Sequence, residues 1–578
     1  MRMSRLLVRT LRAAPADAEA VSHQLLVRGG YIRRLASGIY TYLPLGWRVL
    51  QNVERVVREE MDAAGAQEML MPVLQPLELW EQSGRISLLD EALPAFRVEA
   101  RGGEFVLGPT HEEVVTATVS VDVESYRDLP LNVYQIQTKF RDEARPRFGL
   151  LRGREFIMKD AYSFDVSPDA MRASYRAMYD AYCRIFTRLG LSFAPVEAQA
   201  GAIGGDVNHE FMVPSAIGED LFARCPSCGY AANIEAAAAG APEAAPDGPE
   251  WSHQPLAEHV TPDRPGIDLV VELLSERIPG LSAAGMLKCI ALADPEGNPV
   301  VALVPGDREV RVPIGLRPFE DADFAAHPEL VKGYIGPMGL QDHGVRVIAD
   351  HAVNKPGQAW VTGANKADHH VTGAILHRDF RVDEWCALAT VAEGDPCPRC
   401  GSPLEVVRSV EAGHTFQLGR RYSEKMPGAT FSDESGTEQP YWMGCYGIGV
   451  SRAPAVVAEA HHDDAGLVWP PEVAPFSVHL LALGSARSAE VAEAADKLYG
   501  ELVASGLSVL YDDRGLSPGV QFADADLLGM PTQLIVGAKG LARGVVERKR
   551  RAGGQRDELP LEEVASALAK AQGPATGD

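Results

Sequence analysis

Residues 134–165 contain two strand-like segments joined by a loop rich in arginine, proline and glycine. In YQIQTKFRDE (134–143), apolar side chains from Tyr134 to Phe140 fall on one face of a predicted strand, and polar side chains fall on the other. The segment REFIMKDAYSFD (154–165) is typical of an antiparallel strand that returns beside the first. The sequence therefore predicts an antiparallel sheet with one apolar face and one richly polar face.

Other segments add helices and a second sheet to this core. Residues 46–64 carry apolar side chains at helical spacing, Gly65 suits the C-terminal stop of that helix, and a strand is expected from Glu68. From about residue 473, strand-like and helix-like segments alternate, which predicts a small α/β domain with a partly parallel sheet. A chain of 578 residues is too long for one hydrophobic core, and the Ala/Pro/Gly connector at 234–250 indicates a domain boundary.

The composition is that of a globular protein, with 46% hydrophobic and 23% charged residues. The chain has the basic beginning of a signal peptide, but Arg9 and Arg12 interrupt any apolar core that such a peptide needs. We therefore expect a cytoplasmic protein without a membrane span. The net charge of −24 argues against a general polyanion-binding surface. Residues 538–556 nevertheless carry seven basic side chains and one acidic side chain, Glu547. This segment could be either a phosphate-binding face or a solvated surface.

Five arginines fall between residues 140 and 156 of this acidic chain. Arginine offers a planar fork of donors that binds phosphate bidentately, so Arg141 and Arg152 could hold a nucleotide phosphate. Glu143 would then lie near the adenine or a metal, and the ring of Phe156 beneath the base. For an isolated FRDE, however, a surface strand with ion pairs is the favoured alternative.

The segment GCYGIGVSRAPAVVAEA (444–460) predicts a glycine-rich strand that leads into a helix, with Ser451 as its N-cap and Arg452 in its first turn. A helix N-terminus carries partial positive charge, so an arginine there is unfavourable unless an anion binds beside it. The pattern therefore favours a second anion site. The glycines alone are equally consistent with a tight corner of a sheet.

Eight cysteines in a chain of this length do not make a disulfide scaffold, and four of them occur in the motifs CPSCG (225–229) and CPRCG (397–401). Two such knuckles supply four thiolates for a tetrahedral, structural Zn²⁺, because four protein ligands leave no open position for catalysis. The alternative is a metal-free pair of thiol turns. The predicted ligands are Cys225, Cys228, Cys397 and Cys400.

Three features resemble, in this order, the signature motifs of class II aminoacyl-tRNA synthetases, most closely those of the bacterial prolyl type. They are the helix and strand that end at Pro72, the FRDE…RGREF hairpin and the GIGVSR turn. The resemblance covers nearly the whole chain and includes GPTHEE, TKFRDEARPRFG, KDAYSFD, HTFQLG and GCYGIGVSR. Neither a Walker P-loop pattern nor the HIGH and KMSKS signatures of class I synthetases are found. The resemblance implies an α+β fold: a class II catalytic core built on an antiparallel sheet, an inserted α/β editing domain and a C-terminal α/β anticodon-binding domain.

The resemblance implies ATP-dependent activation of proline and transfer of the prolyl group to the 3′ end of tRNA(Pro). Fixed cations and Mg²⁺ bound with ATP should contribute more to catalysis than a general base does, because negative charge develops on phosphoryl and carbonyl oxygens. The residues implied for catalysis are Arg141, Glu143 and Arg452. Those implied for ATP binding are the same three with Arg152, Phe156, Thr415 and Gln417.

The family resemblance also implies an amino-acid pocket. In its Thr-x-Glu loop, Thr110 and Glu112 would receive the imino group of the substrate, since a carboxylate near a secondary ammonium is the expected chemistry. His209, Phe211 and Cys445 resemble the walls of a small pocket for a pyrrolidine ring. Ordinary core packing is the alternative for His209 and Cys445.

A pocket for proline cannot exclude the smaller alanine sterically, so a second, hydrolytic site is useful. Residues from about 250 to 392 resemble the editing domain that hydrolyses Ala-tRNA(Pro) in many bacterial prolyl enzymes. Taken singly, a lysine or histidine there is more often structural than functional. The implied editing residues are Lys288, Gly333, Pro337, Asp350 and His370.

The family resemblance sets the expected domain limits. They are 1–232 and 409–472 for the catalytic core, 233–408 for the insertion, 473–570 for the anticodon-binding domain and 571–578 for a tail. The segment LYDDRGLSPGVQFADADLLGMP (510–531) carries most of the anticodon-domain resemblance. The helix and strand that end at Pro72 resemble a dimer-contact motif, so a homodimer is implied.

Two alternative functions stay open at this point. A catalytically silent tRNA-binding relative could keep the fold while losing Glu112, Arg141 or Arg452, but all three are present. A synthetase for another amino acid of the same subclass is disfavoured by the HEF and GCYG segments. The expected partners are therefore tRNA(Pro), ATP, proline and a second copy of the chain, with no membrane.

Overall fold

The computed structural model describes residues 1–90, 93–199, 201, 203–205, 207–240, 255–313, 315–355 and 357–571. Backbone contacts divide the chain into two compact units. The first combines the described residues of Met1–Ala194, Ala200–Gly218 and Ser409–Asp578, and the second combines those of Pro195–Gln199 and Glu219–Arg408. Residues 241–250 of the predicted connector and 572–578 of the predicted tail lie outside the described residues.

The helices and strands follow one another along both units. The α-helices are α1 (Val21–Arg28), α2 (Pro44–Ala63), α3 (Leu77–Ser83), α4 (Glu112–Asp122), α5 (Pro168–Arg188), α6 (Ile267–Leu274), α7 (Asp321–Ala326), α8 (Ala453–Ala460), α9 (Ala489–Ala504), α10 (Pro518–Leu528), α11 (Ala538–Leu541) and α12 (Val564–Ala571). The strands are β1 (Ile32–Ala36), β2 (Ile39–Tyr42), β3 (Gln67–Glu68), β4 (Leu74–Pro76), β5 (Arg97–Ala100), β6 (Gly103–Leu107), β7 (Leu131–Phe140), β8 (Glu155–Asp165), β9 (Ala194–Glu197), β10 (Val207–Pro214), β11 (Asp220–Arg224), β12 (Ala231–Asn233), β13 (Ala257–Val260), β14 (Leu287–Ala293), β15 (Pro299–Pro305), β16 (Arg317–Pro318), β17 (Arg346–Asp350), β18 (Ala359–Gly363), β19 (His369–Ile375), β20 (Glu384–Cys386), β21 (Glu405–Gly419), β22 (Thr430–Ser432), β23 (Glu438–Pro440), β24 (Trp442–Ile448), β25 (His462–Asp463), β26 (Gly466–Leu467), β27 (Val478–Leu483), β28 (Val509–Asp512), β29 (Thr532–Gly537), β30 (Val545–Arg550) and β31 (Arg556–Pro560).

The predicted helix at 46–64 is confirmed as α2. Its apolar residues at helical spacing are buried in the main core of the first unit, which is why an amphipathic sequence is helical here. Gly65 follows with φ of +80°, a left-handed conformation that glycine adopts without a steric penalty, so the helix ends where predicted.

The strand expected from Glu68 is much shorter than predicted. Strand β3 contains only Gln67 and Glu68, paired parallel to β7. Beyond it, the amide of Met69 donates to the Tyr134 carbonyl at 2.8 Å, and the amide of Met71 donates to the Gln135 side chain at 3.0 Å. A side chain has replaced a backbone acceptor, so the regular ladder ends there.

The central sheet of the first unit has the order β3-β7-β8-β24-β21-β10. All neighbours are antiparallel except β3 and β7. The predicted hairpin is confirmed, since β7 and β8 pair from Leu131 with Phe164 to Phe140 with Glu155. We call the face that carries Cys445, which contacts α4, the α4 face, and the opposite face, which packs on α5, the α5 face.

The C-terminal part of the first unit is a five-stranded sheet in the order β28-β27-β29-β30-β31. The strands β28, β27 and β29 are parallel, and β30 and β31 are antiparallel. Helices α9 and α12 contribute to the apolar core on this sheet. The predicted α/β domain with a partly parallel sheet is therefore confirmed.

The second unit contains two larger sheets of its own. One has the order β16-β14-β15-β17-β20 and mixes antiparallel and parallel pairs, and the other is the antiparallel sheet β13-β19-β18. Strands β11 and β12 form an antiparallel hairpin next to the CPSCG segment. These sheets position the cysteine motifs and the predicted editing residues.

Candidate active site

Arg141 directly follows β7 on the α4 face of the sheet. Its guanidinium carbon lies 5.2 Å from the centre of the Phe156 ring, and its Nη2 donates to the carbonyl of Pro109 at a long 3.4 Å. Its buried Nε has no hydrogen-bond partner among the described residues. Burial, and then the neighbouring guanidinium of Arg452, lower the pKa of Arg141. Two close arginines with an unsatisfied donor favour an anion at this position.

Arg452 occupies the N-cap position of α8, so the prediction of Ser451 as N-cap is wrong. The Ser451 hydroxyl instead accepts from the amide of Ile157 at 2.8 Å, because a strand edge competes for it. Arg452 Nη1 donates to the carbonyl of Glu411 at 2.7 Å and lies 3.8 Å from its carboxylate. The arginine at this helix start is therefore balanced in part by an acidic neighbour that the sequence analysis did not select.

Glu143 lies in the loop between β7 and β8. Its carboxylate accepts from Arg152 Nε at 2.8 Å and from the amide of Arg145 at 3.0 Å. Burial opposes ionisation here, but the hydrogen bonds from Arg152 and Arg145 and the charges of nearby arginines together outweigh it and lower the pKa of Glu143. Arg154 donates to the carbonyl of Glu143, also at 3.0 Å. The loop thus presents an ionised carboxylate that is held in place by arginines.

Thr110, Glu112 and Cys445 lie together on the α4 face, as the motif resemblance implied. Thr110 Oγ1 donates to Glu112 Oε2 at 2.7 Å, and Cys445 Sγ lies 3.2 Å from Glu112 Oε1. Glu112 is fully buried. Burial, followed by the charge of Glu112, raises the pKa of the Cys445 thiol well above its usual value. The thiol therefore stays protonated and can donate to the carboxylate.

Several buried residues around this carboxylate were missed by the sequence analysis. Arg85, Glu113 and the ion pair of Lys139 with Asp160, 2.7 Å apart, are the main ones. The second glutamate of GPTHEE and the polar alternation of β7 were the available signals for Glu113 and Lys139. Arg85 follows α3, where nothing in the local pattern separates a buried arginine from an exposed one.

His209 and Phe211 do not lie with Cys445 in the structure. His209 pairs with Thr415, and Thr415 pairs with Tyr446. Because paired residues share a face of a sheet, these three side chains lie on one face. Cys445 is adjacent to Tyr446 in the strand and therefore points to the opposite face. The contacts agree with this register: the ring centres of His209 and Phe211 lie 5.3 and 5.4 Å from that of Tyr179 in α5. The predicted grouping of all three around one pocket is thus replaced by two sets on opposite faces.

The same register places Thr415 and Gln417 on the α5 face. Thr415 Oγ1 donates to the Tyr175 hydroxyl at 2.9 Å, and Tyr175 lies 2.7 Å from His209 Nδ1. Thr415 is fully buried. Its hydroxyl is therefore engaged with a side chain of α5 rather than directed towards Arg141.

Glu210, Glu411 and His414 form a polar cluster beside Arg452. Their potential ligand atoms all lie within 4.8 Å of one another. Glu210 pairs directly with His414 across β10 and β21, and His414 stacks on Phe416 with ring centres 3.8 Å apart. Two carboxylates beside Arg452 offer the oxygen ligands that Mg²⁺ prefers.

The four predicted zinc ligands lie together in the second unit. Cys225 Sγ is 3.5 Å from Cys400 Sγ, and Cys228 Sγ is 3.6 Å from Cys397 Sγ. These distances exclude disulfide bonds and are close to the separation of about 3.8 Å that tetrahedral Zn–S bonds of about 2.3 Å require. The cysteine geometry therefore fits one zinc ion.

The predicted editing residues fall on both sheets of the second unit. Lys288, in β14, donates to the carbonyl of Arg308 at 2.7 Å. Asp350 ends β17, and its carboxylate accepts from three backbone amides, so it stabilises the adjoining loops. Both residues are thus tied to neighbouring backbone.

His370 lies on the other sheet, next to the GYIGP loop. Its Nδ1 is 2.7 Å from Thr261 Oγ1, and its ring centre is 5.5 Å from that of Tyr334. Burial lowers the pKa of His370 to about 4, so the imidazole is neutral at pH 7. In the same loop, Gly333 has φ of +84°, and Pro337 is buried. A neutral histidine beside a glycine-rich loop is therefore available in this unit.

The basic segment 538–556 is largely neutralised by ion pairs. Five of its seven basic side chains lie within ion-pair distance of carboxylates, namely Arg543 with Glu558, Arg548 with Asp557, Lys549 with Asp526, Arg551 with Asp463 and Arg556 with Glu547. The segment is therefore less cationic than its sequence suggests. Among the described residues, no helix combines the length and apolar character that a membrane span requires.

Comparisons with known proteins agree with this architecture. Residues 96–461 match the family model of the tRNA synthetase class II core domain (G, H, P, S and T), and residues 473–571 match that of the anticodon binding domain. Proline–tRNA ligases from Oleidesulfovibrio alaskensis and Streptomyces coelicolor are 49% and 48% identical to this chain, with 98% of both chains covered in each case.

Two solved structures share the fold at much lower identity. Prolyl-tRNA synthetase from Giardia lamblia, in complex with prolyl-adenylate, has a TM-score of 0.57 at 16% identity, covering 94% of this chain and 75% of that one. The enzyme from Cryptosporidium parvum, complexed with L-proline and AMP, also has a TM-score of 0.57, at 14% identity, covering 97% and 77%. These likenesses confirm the predicted α+β fold. The 48–49% identity to proline–tRNA ligases over 98% of both chains, with the match to the class II core model, shows that the chain belongs to the proline–tRNA ligase family of class II tRNA synthetases.

Proposed function

We propose that the protein activates proline with ATP and transfers the prolyl group to the 3′ end of tRNA(Pro). One observation carries the proposal: Arg141 Nη2 reaches the carbonyl of Pro109, the residue before Thr110, so the arginine site adjoins the loop that carries Glu112. Proline has a carboxylate and a secondary ammonium one carbon apart. The carboxylate matches Arg141, and the ammonium matches Glu112.

In the first step, a carboxylate oxygen of proline attacks the α-phosphorus of ATP, and the bond to the pyrophosphate oxygen breaks. Negative charge increases on the phosphoryl oxygens, where Arg141 and Arg452 stabilise it. Phe156 supports the adenine from below, and Glu143 contacts the adenine or its nearby groups. In the second step, a ribose hydroxyl of the tRNA attacks the prolyl carbonyl carbon, and AMP leaves.

Mg²⁺ bound with ATP supplies further positive charge to the phosphates. Glu411 and Glu210 would hold it, since their carboxylates lie close together beside Arg452 and offer the oxygen ligands that Mg²⁺ prefers. Glu411 also accepts from Arg452, which limits where that arginine can point. These residues therefore position the γ-phosphate end of ATP.

We further propose that the insertion at 233–408 hydrolyses Ala-tRNA(Pro). The support is the neutral His370 beside the GYIGP loop, because a neutral imidazole can orient a hydrolytic water or the ribose hydroxyl. Lys288, Gly333, Pro337 and Asp350 would shape that site. The three backbone hydrogen bonds to Asp350 suit a supporting role better than proton transfer.

The remaining proposals concern zinc, tRNA and a second subunit. The four cysteines would hold one structural Zn²⁺, which ties the two knuckles together. Residues 473–570 would bind the anticodon loop of tRNA(Pro), with residues 538–556 near its phosphates. A homodimer formed through the segment that ends at Pro72 is expected from the motif resemblance.

Amino-acid-dependent exchange of pyrophosphate into ATP tests the central proposal. The panel contains proline, alanine, cysteine, threonine, glycine and histidine, with wild-type protein and Arg141→Ala. Strong exchange with proline, weak exchange with alanine and loss in the variant are expected. Exchange with no amino acid from folded protein would leave a silent tRNA-binding relative, and a preference for another amino acid would overturn the pocket assignment.

A further inference from the structure

Glu112 is one of two adjacent buried glutamates that share a single arginine. Arg85 Nη1 lies 2.9 Å from Glu113 Oε1 and 3.3 Å from Glu112 Oε2. The side chains of both glutamates are completely buried, and that of Arg85 is 3% exposed. Ser83 Oγ also donates to Glu113, at 2.8 Å. These contacts define a compact charged cluster, which we call the Arg85 cluster: Arg85, Glu112 and Glu113.

The Arg85 cluster has a formal charge of −1 when all three groups are ionised. Burial lowers the pKa of Arg85, but the two carboxylates outweigh this and raise it, so the guanidinium stays charged. Burial raises the pKa of Glu113, and although Arg85 lowers it, the nearby Glu112 raises it further. A buried excess of negative charge is unfavourable unless a cation joins it. The secondary ammonium of proline is such a cation.

The hydrogen bonds leave one oxygen of Glu112 available. Oε2 accepts from both Thr110 and Arg85, whereas Oε1 has only the thiol of Cys445 as a donor among the described residues. A thiol is a weak donor, so Oε1 retains most of its capacity to accept from an ammonium. Arg85 thereby fixes which oxygen faces the substrate.

Two aromatic rings flank the Arg85 guanidinium, whose Nε and Nη2 have no hydrogen-bond partner among the described residues. Its guanidinium carbon lies 5.1 Å from the Trp80 ring centre and 5.2 Å from that of Tyr422. Trp80 Nε1 donates to Gln75 Oε1, and Gln75 Nε2 donates to the carbonyl of Thr110. The same framework therefore supports the arginine and the backbone of the Thr-x-Glu loop.

We propose that Arg85 and Glu113 are positioning residues that orient Glu112 and set the negative charge of the pocket for the secondary ammonium of proline. The inference rests on the proposed function, because it concerns the same amino-acid site. Neither residue needs to contact the substrate, and both act through Glu112. Removing either should therefore weaken proline binding without a corresponding effect on ATP.

The test compares KM for proline and KM for ATP in pyrophosphate exchange, using Arg85→Gln, Arg85→Lys and Glu113→Gln. Arg85→Gln should raise KM for proline at least about tenfold, since Glu112 loses the buried partner that keeps its Oε1 directed at the substrate, and should leave KM for ATP unchanged. Arg85→Lys should recover part of the loss. Glu113→Gln keeps the shape and the hydrogen bonds to Ser83 and Arg85 but removes the excess charge, so KM for proline should rise several-fold.

Arg188→Gln is the matched control. Arg188 also bridges two adjacent glutamates, Glu60 at 3.0 Å and Glu59, but on the surface between α2 and α5. The Arg188→Gln variant should leave KM for proline and KM for ATP unchanged. If thermal denaturation shows that Arg85→Gln does not fold, KM for proline in Arg85→Lys and Glu113→Gln tests the inference.

Parallel changes in KM for proline and ATP, or wild-type KM for proline in Glu113→Gln, would overturn the inference. Failure of the proposed function is a separate outcome, since it requires that the wild-type protein itself shows no proline-dependent exchange. If the wild type shows proline-dependent exchange and the Arg85 variants keep the wild-type KM for proline, the inference about Arg85 is refuted and the proposed function is not.

Discussion

Cys445 Sγ and Glu112 Oε1 are 3.2 Å apart, so a protonated thiol donates to the carboxylate at the base of the proposed proline pocket. Cys445→Ala removes this weak donor, which helps to orient Glu112, and should raise KM for proline by up to about fivefold, since an ordinary hydrogen bond contributes about 1 kcal/mol. KM for ATP should stay constant in the same pyrophosphate exchange assay. Cys445→Ser, which retains a donor, should remain closer to wild type, and an identical loss in both variants would contradict the role of the hydrogen bond.

Arg141 is expected to tolerate no conservative replacement. Arg141→Lys keeps the charge but loses the planar fork, so the rate of proline activation should fall by a factor of about 10² to 10³, as for other lost donors to a developing negative charge. Single-turnover formation of prolyl-adenylate measures this directly. The control is Arg176→Lys on the exposed side of α5, whose side chain is 70% exposed. Near-wild-type rates for Arg141→Lys would argue against phosphate contact.

The cysteine cluster should bind one zinc ion per chain. Metal analysis of purified protein should give one equivalent, and Cys400→Ser should lose it, because three thiolates bind more weakly than four. The melting temperature should fall in the variant and after chelation. Cys386→Ser, at a half-buried cysteine of the same unit outside the cluster, should keep the metal. Full zinc occupancy in Cys400→Ser would exclude the proposed ligand set.

His370 should affect mischarged tRNA but not proline activation. His370→Ala should slow hydrolysis of Ala-tRNA(Pro) added to the protein, because the neutral imidazole that orients the reacting groups is lost. The neighbouring His369, whose side chain is 19% exposed, provides the control His369→Ala. Equal deacylation rates in wild type and His370→Ala would contradict a role for this residue in the proposed editing site.

Lys159 should make stability depend on pH above neutrality. Burial lowers its pKa to about 7 in the folded protein, although Lys159 Nζ donates to the Tyr182 hydroxyl and the Tyr446 carbonyl. Between the folded pKa and the usual value of about 10.4, the unfolded chain binds the extra proton, so stability rises with pH, by at most about 1.4 kcal/mol per unit.

The variant Lys159→Met isolates this effect. Chemical denaturation between pH 7 and pH 9.5 should show wild-type stability increasing relative to the variant as the pH rises. Groups that titrate in both proteins cancel in the difference. Parallel stability curves would mean that the folded pKa of Lys159 is close to its usual value.

The core hairpin could be predicted because its information is local. Alternation in β7 fixes both its strand type and its polar face, and β8 follows as the returning strand of a hairpin. The N-cap could not be predicted in the same way. Ser451 has the correct local chemistry, but the amide of Ile157, almost 300 positions earlier, competes for its hydroxyl. Tertiary contacts therefore outweighed capping preference.

Within the amino-acid pocket, the residues that one short motif contains were predicted correctly as neighbours. Thr110 and Glu112, which the family motif groups together, are in contact. The face of His209 depends instead on the register of β10 with β21, which are far apart in the sequence. Arg85 gives no signal at all, because its role arises from aromatic rings and carboxylates contributed by α3, α4 and the segment around Tyr422.

The ion pairs of segment 538–556 also have a consequence for how tRNA binding depends on ionic strength. A free cationic side chain releases condensed counterions from a nucleic acid, and this release makes affinity fall steeply with salt. Five of the seven basic groups in this segment already form ion pairs with protein carboxylates, so a tRNA phosphate must displace a carboxylate to bind there. Counterion release then contributes less to the binding free energy. Anticodon-domain affinity should therefore be less sensitive to salt than the local sequence charge suggests.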